Sequence, residues 1–170
     1  MGTLRASLSA APWALLVAGI AWVVVLGAVG VVVTRLDAWY YALRKPSWQP
    51  PDWLFGPAWT TIFICSALAF VLAWVHPAAT PLRHGLLIAA YLTNATLNVW
   101  WSVLFFRRRR PDWAFREVWV LWLSIIAMQA GVTLAGTWYG WLLVPYVTWV
   151  SFATGLNAEI VRLNRPFGVH

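Results

Sequence analysis

From Pro12 to Thr34 the sequence carries no charged side chain, and that run decides the solvent in which the chain folds. A helix on a soluble protein needs a polar face, whereas an apolar run of about 20 residues matches the roughly 30 Å hydrocarbon core of a bilayer. The run is longer than a signal-peptide core of about 7–15 residues, so it reads as a retained span. Apolar stretches recur along all 170 residues, which are 62% hydrophobic and 10% charged, against roughly a quarter charged in soluble domains. The sequence therefore predicts an all-α membrane protein, a bundle of five transmembrane helices in a single domain over residues 1–170. The expected spans are about 11–34, 57–75, 85–106, 115–135 and 138–163, with lengths close to the roughly 20 residues a bilayer requires.

The punctuation between spans is informative. Gly19, Gly27 and Gly30 give the first span small-residue surface for close helix approach. Between Asp37 and Gly56 lies a segment rich in proline and tryptophan, where Pro46, Pro50 and Pro51 exclude a regular helix across it. It is the one loop with structure-forming character of its own. Pro57 suits the first turn of the second span. His76, Pro77, Pro81 and Arg83 read as a short turn, and Pro145 as a kink within the last span.

A formal net charge of +7 would suggest a nucleic-acid surface in a soluble protein. Here the cations lie between apolar runs, as the positive-inside bias requires, and no nucleic-acid partner is expected. Arg35, Arg44, Lys45, Arg107 to Arg110, Arg116, Arg162 and Arg165 fall on one side, and only Arg5 and Arg83 on the other. In an inner membrane this predicts an outside N-terminus and a cytoplasmic C-terminus. Arg107 to Arg110 would set topology and attract anionic lipid. Short loops and the lack of a targeting presequence suggest a bacterial membrane.

Catalytic signatures are absent. Cys65 is the single cysteine and has no disulfide partner within the chain. His76, His84 and His170 are scattered, so no metal-ligand spacing arises. No phosphate-binding, dinucleotide or nucleophile motif occurs, and no catalytic residue is assigned. Fifteen tryptophans stand out instead. Trp13, Trp22, Trp74, Trp119, Trp122, Trp138 and Trp141 fit an interfacial belt or packing. Trp39, Trp48, Trp53, Trp59, Trp100, Trp101 and Trp149 gather around the first loop and the polar span faces, where they could wall a flat pocket. Asn94 and Asn98 share one helix face at i,i+4 spacing. They serve either interhelical hydrogen bonds or a ligand, and Asn157 and Glu159 leave the same two alternatives open.

Three strings carry a resemblance: Trp39–Thr60 (WYYALRKPSWQPPDWLFGPAWT), Leu97–Phe106 (LNVWWSVLFF) and Val144–Asn157 (VPYVTWVSFATGLN). Together they resemble the TspO/MBR family, the translocator and tryptophan-rich sensory proteins. The resemblance implies a five-helix bundle, often a homodimer, with a pocket beneath the first loop. Its ligands would be porphyrins such as haem and protoporphyrin IX, and in some members sterols and isoquinoline or benzodiazepine-type drugs. No cofactor is implied beyond porphyrin as ligand. Carried over by position, Trp59 and Trp149 become the pocket tryptophans linked to porphyrin binding and, in some bacterial members, to its light-driven degradation. Trp39, Tyr40, Pro51 and Trp53 would form a lid, while Asn98, Trp101, Phe106, Ala153 and Leu156 would line the pocket.

Departures are specific. Asn94 replaces a common glutamine, Ser102 and Val103 stand where proline often follows the third-span tryptophan, and Phe63 replaces a tyrosine. Ala158 stands at the tyrosine position of a sterol motif, which counts against cholesterol recognition through it. Three functions follow from these residues: a porphyrin sensor or carrier, a light- and oxygen-dependent porphyrin-degrading enzyme, or a ligand-controlled regulator of a membrane partner.

Overall fold

The computed structural model of the chain describes residues 12–77, 79–133 and 138–167. Arg5, Ala11, Ala135, Gly136 and His170, to which the sequence assigned span ends, charges or ring nitrogens, lie outside the described residues. Helix α1 is Pro12–Val33, followed by the short α2, Ala38–Ala42, and a 3-10 turn at Asp52–Leu54. Then come α3 (Phe55–Val75), α4 (Pro81–Ser102), α5 (Pro111–Thr133) and α6 (Val144–Asn164). A π-helical turn, Val103–Arg107, extends α4, and a 3-10 segment, Trp138–Leu143, leads into α6. Among the described residues there is no strand. Trp13–Val33, Asp52–Val75 and Pro111–Thr133 are long and apolar enough to cross a membrane by length and composition.

Helix α5 shows why the bundle packs as it does. It buries Ala114, Val118, Leu121, Ile125, Met128 and Val132, a seam of alternating four- and three-residue steps that keeps one face on its neighbours. Both α4 and α6 pack along it, α1 packs on α3 and α4, and α3 meets α6 and the 3-10 segment. Three apolar clusters follow one another along this seam. Ala114 belongs to the first, with Tyr40, Leu104, Phe105, Leu156 and Ile160. Val118, Leu121 and Ile125 belong to the second, with Ile62, Tyr146 and Val150. Met128 and Val132 belong to the third, with Ala69, Tyr91 and Leu143.

Several helix limits differ from the expectation for local chemical reasons. Helix α4 starts at Pro81, because the Thr80 hydroxyl accepts from the Arg83 N–H at 3.3 Å and proline suits the first helical turn. Pro81 and Arg83 are therefore helical and not part of a turn. Helix α5 likewise opens on Pro111, ahead of the expected Phe115, and α3 opens on Phe55, ahead of Pro57. Pro145 does not kink a continuous helix from Trp138. It lies in the first turn of α6, after the 3-10 segment, where its missing N–H has no intrahelical role. The π turn closes with the Arg108 N–H donating to the Val103 carbonyl at 2.9 Å. Arg109 then adopts a left-handed φ of 54°, which turns the chain out of the helix toward α5.

Asn157 joins three helices at one point. It is 1% exposed; its amide donates to the Pro111 carbonyl at 3.0 Å, and its oxygen accepts from the Trp101 indole N–H at 3.3 Å. Interhelical bonding is thus what Asn157 does here, whereas Glu159 forms a surface pair with Arg162. Replacing Asn157 by leucine leaves both partners unsatisfied in the interior. Asn157→Leu is expected to lower stability by about 1–3 kcal/mol, read as the shift in the chemical unfolding midpoint in detergent. An unchanged midpoint would remove Asn157 from this role.

Candidate functional site

The segment between α1 and α3 is latched to the rest of the chain by polar contacts at several points. Asp37 caps α2 by accepting the Tyr40 N–H at 3.1 Å and pairs with Arg109 at 2.9 Å. That backbone N–H, with the nearby guanidinium, holds the Asp37 carboxyl below the usual carboxylate range. The backbone of Arg44 exchanges two 2.8 Å hydrogen bonds with the Asn164 amide at the end of α6. Arg107 donates to the Val32 carbonyl at the end of α1, 2.6 Å away. Four elements therefore meet at this end of the bundle, and the cations collect there.

Tyr40 is the centre of the latch. Its hydroxyl donates to Asp52 at 3.1 Å and accepts from Gln49 at 3.3 Å, while the Lys45 ammonium sits 3.6 Å from its ring centroid, a favourable cation–π placement. Burial, and then the Asp52 carboxylate, push the Tyr40 phenol up to about 12. Loss of hydration lowers Lys45 from its ordinary value, with Asp52 opposing that shift.

Beneath the latch the rings form an aromatic layer made of three groups of ring contacts. Phe106 lies 5.8 Å from Tyr40 and 6.2 Å from Trp101, between ring centroids. Trp101 packs against both the first and second apolar clusters. Trp59 lies 5.4 Å from Phe63 and 5.9 Å from Tyr146, and Trp149 lies 5.4 Å from Phe55 and 5.9 Å from Phe152. Trp39 and Leu156 pack in the first cluster. Ala153 is half-buried on α6, a turn beyond Trp149. Pro51 and Trp53 are exposed, Trp53 at 71%, and Trp48 packs edge-on against Phe152 at 5.6 Å. Trp100 is 46% exposed and lines a depression with Leu26 of α1, apart from the aromatic layer.

A polar node sits within these rings. The Asn94 amide donates to Ser124 at 2.8 Å, and its oxygen accepts from the Tyr146 hydroxyl at 3.0 Å. Asn98 donates to the same hydroxyl at 3.2 Å. Both asparagines thus hold α4 to its neighbours, Asn94 to α5 and α6 and Asn98 to α6. Tyr146 and Ser124 escaped sequence reasoning as polar partners. The available signal was the shared face of Tyr146, Val150 and Asn157, spaced four and then seven residues apart. A separate cavity of about 190 Å³ lies between α1, α3 and α4, lined by Gly19, Trp22, Phe70 and Tyr91 among others.

These features define a helical membrane protein whose interior, at its loop end, is built of aromatic rings around a small amide network. The sequence pattern of the TspO/MBR family matches residues 11–163, and the chain belongs to that family. It is 38% identical over 128 residues to the tryptophan-rich sensory protein of Cereibacter sphaeroides, covering 75% of this chain and 78% of that one. It is 39% identical over 132 residues to the tryptophan-rich protein TspO of Chlorobaculum tepidum, covering 75% and 80%. To the Homo sapiens translocator protein it is 32% identical over 132 residues, covering 75% of each.

The latch gives a pH prediction. Because the folded state raises the Tyr40 pKa above its ordinary 10.0, its contribution is complete below pH about 10 and is lost as pH rises through about 12. Tyr40→Phe keeps the ring contacts and removes the two hydroxyl bonds. Faster proteolysis of the segment 43–54 is expected in the variant at neutral pH, and the same acceleration in the native chain as the phenol ionises. Equal proteolysis rates in the two at neutral pH would discount the latch.

Proposed function

We propose that the chain is a membrane receptor or carrier for porphyrins such as haem and protoporphyrin IX, held at the aromatic layer beneath the first loop. In this proposal all five long helices cross the bilayer, with the N-terminus outside and the cationic loop end at the cytoplasmic face. Asn94 and Asn98 of α4 meet Tyr146 of α6 inside the bundle, which helps helices of lower hydropathy stand in lipid. Gly27 and Gly30 have no neighbouring atoms against which an added Cβ would press, and so leave α1 open to a second copy in a homodimer. Sterols and isoquinoline or benzodiazepine-type molecules, being flat and apolar, would use the same layer.

One observation carries the proposal: Trp59, Trp101 and Trp149 converge with Phe63 and Tyr146 on one cluster, next to two amides. Flat macrocycles are held by ring faces, with a few polar groups fixing their orientation. Arg44, Lys45, Arg107 and Arg109 gather at the loop end through the contacts described above, where they suit the carboxylate side chains of a porphyrin.

Tryptophan-fluorescence quenching of the purified protein, titrated with protoporphyrin IX in the dark, is expected to saturate. Trp59→Phe and Trp149→Phe are each expected to weaken binding by about fivefold or more, in line with about 1 kcal/mol for an aromatic contact. Linear, unsaturable quenching in the folded wild type would overturn the proposal. Light-dependent loss of the porphyrin spectrum that vanishes in either variant while dark binding persists would redirect it to the degradative enzyme.

A further inference from the structure

Glu117 is a half-buried residue of α5 whose carboxyl no group among the described residues satisfies. Both of its oxygens are sealed from solvent and lack a hydrogen-bond partner among the described residues. It stands on α5 three residues after Ala114 and four before Leu121, and so on their face of the helix. Ala114 belongs to the loop-end cluster and Leu121 to the central one, which puts Glu117 at the junction that Trp101 also bridges. On α6 the Tyr146 phenol lies within its electrostatic range. That hydroxyl is already committed to Asn94 and Asn98. The ion pairs of the described residues, Arg109 with Asp37, Arg110 with Asp112 and Arg162 with Glu159, leave Glu117 out.

A carboxylate sealed from water with no cation beside it is strongly unfavourable, so this position accommodates the neutral acid. A neutral carboxyl presents one O–H donor and one carbonyl acceptor side by side. Its complement is a group with an acceptor and a donor in the same relation, such as a lactam, and the two then form a pair of parallel hydrogen bonds. A closed porphyrin has no such edge, because its N–H groups point into the centre of the ring and its ionised carboxylate side chains only accept. An open-chain tetrapyrrole ends in lactam rings.

We propose that Glu117 is the polar anchor of the aromatic site and selects open-chain tetrapyrroles by pairing with a terminal lactam. The proposal rests on the tetrapyrrole function proposed above and names the subclass that the site prefers. Glutamine has a carbonyl and an N–H side by side, so Glu117→Gln keeps the pairing, whereas Glu117→Leu removes it. Leucine replaces an unsatisfied carboxyl with an apolar group of similar size, and the fold should tolerate it.

The test measures dissociation constants of the wild type and both variants for biliverdin and for protoporphyrin IX, in detergent and in the dark. Glu117→Leu is expected to weaken biliverdin by about tenfold or more, the scale of two lost hydrogen bonds. Glu117→Gln should stay close to wild type, and all three proteins should bind protoporphyrin IX alike. Unchanged biliverdin affinity in the leucine variant, an equal loss for both ligands, or a glutamine variant as weak as leucine would each overturn the anchor. A folded wild type that binds neither tetrapyrrole would overturn the porphyrin function itself. Infrared difference spectra of the wild type give an independent reading. The protonated-carboxyl band should shift on adding biliverdin, and no shift would overturn the proposal even if a variant failed to fold.

Discussion

The organisation of this molecule depends on pairing the amide side chains inside its bundle. Away from water an unpaired amide is costly, so the interior asparagines find their partners on other helices. Asn157 does so by joining Pro111 and Trp101, and Asn94 and Asn98 do so through Ser124 and Tyr146. These bonds add direction to the non-directional packing along α5. They fix α4 and α6 relative to one another, and with them Trp101 and Trp149.

The loop end follows from the same constraint. Arg107 ties the end of α1 to the end of α4 through Val32, and Arg109 and Asn164 then hold the proline-rich segment. Tyr40 connects that segment to the layer below, with its hydroxyl on Asp52 and its ring beside Phe106.

Legibility in the sequence tracks which forces leave a local mark. The apolar run of α1, the proline-rich segment and the i,i+4 asparagines were all visible, because length, backbone restriction and helical spacing are local. The starts at Pro81 and Pro111 were read late, since proline in a first turn looks the same as proline in a loop until the capping bond is seen. Helices α1 and α3 are apolar all round, so periodicity does not separate buried Ile62 and Ala69 from exposed Ile64 and Leu68. Trp53 in the 3-10 turn and Trp100 on α4 are exposed, which residue type and position along the chain do not reveal. Tyr146 and Ser124 were hidden because each acquires its role only from a residue on another helix.

The most direct measurement is photoaffinity labelling of the detergent-solubilised protein with a diazirine-bearing protoporphyrin, followed by peptide mapping. Binding at the aromatic layer predicts labels on the segments holding Trp59, Trp101 and Trp149, suppressed by excess protoporphyrin IX. Saturable labelling confined to Gly19, Trp22 and Phe70, the walls of the cavity between α1, α3 and α4, would contradict the account.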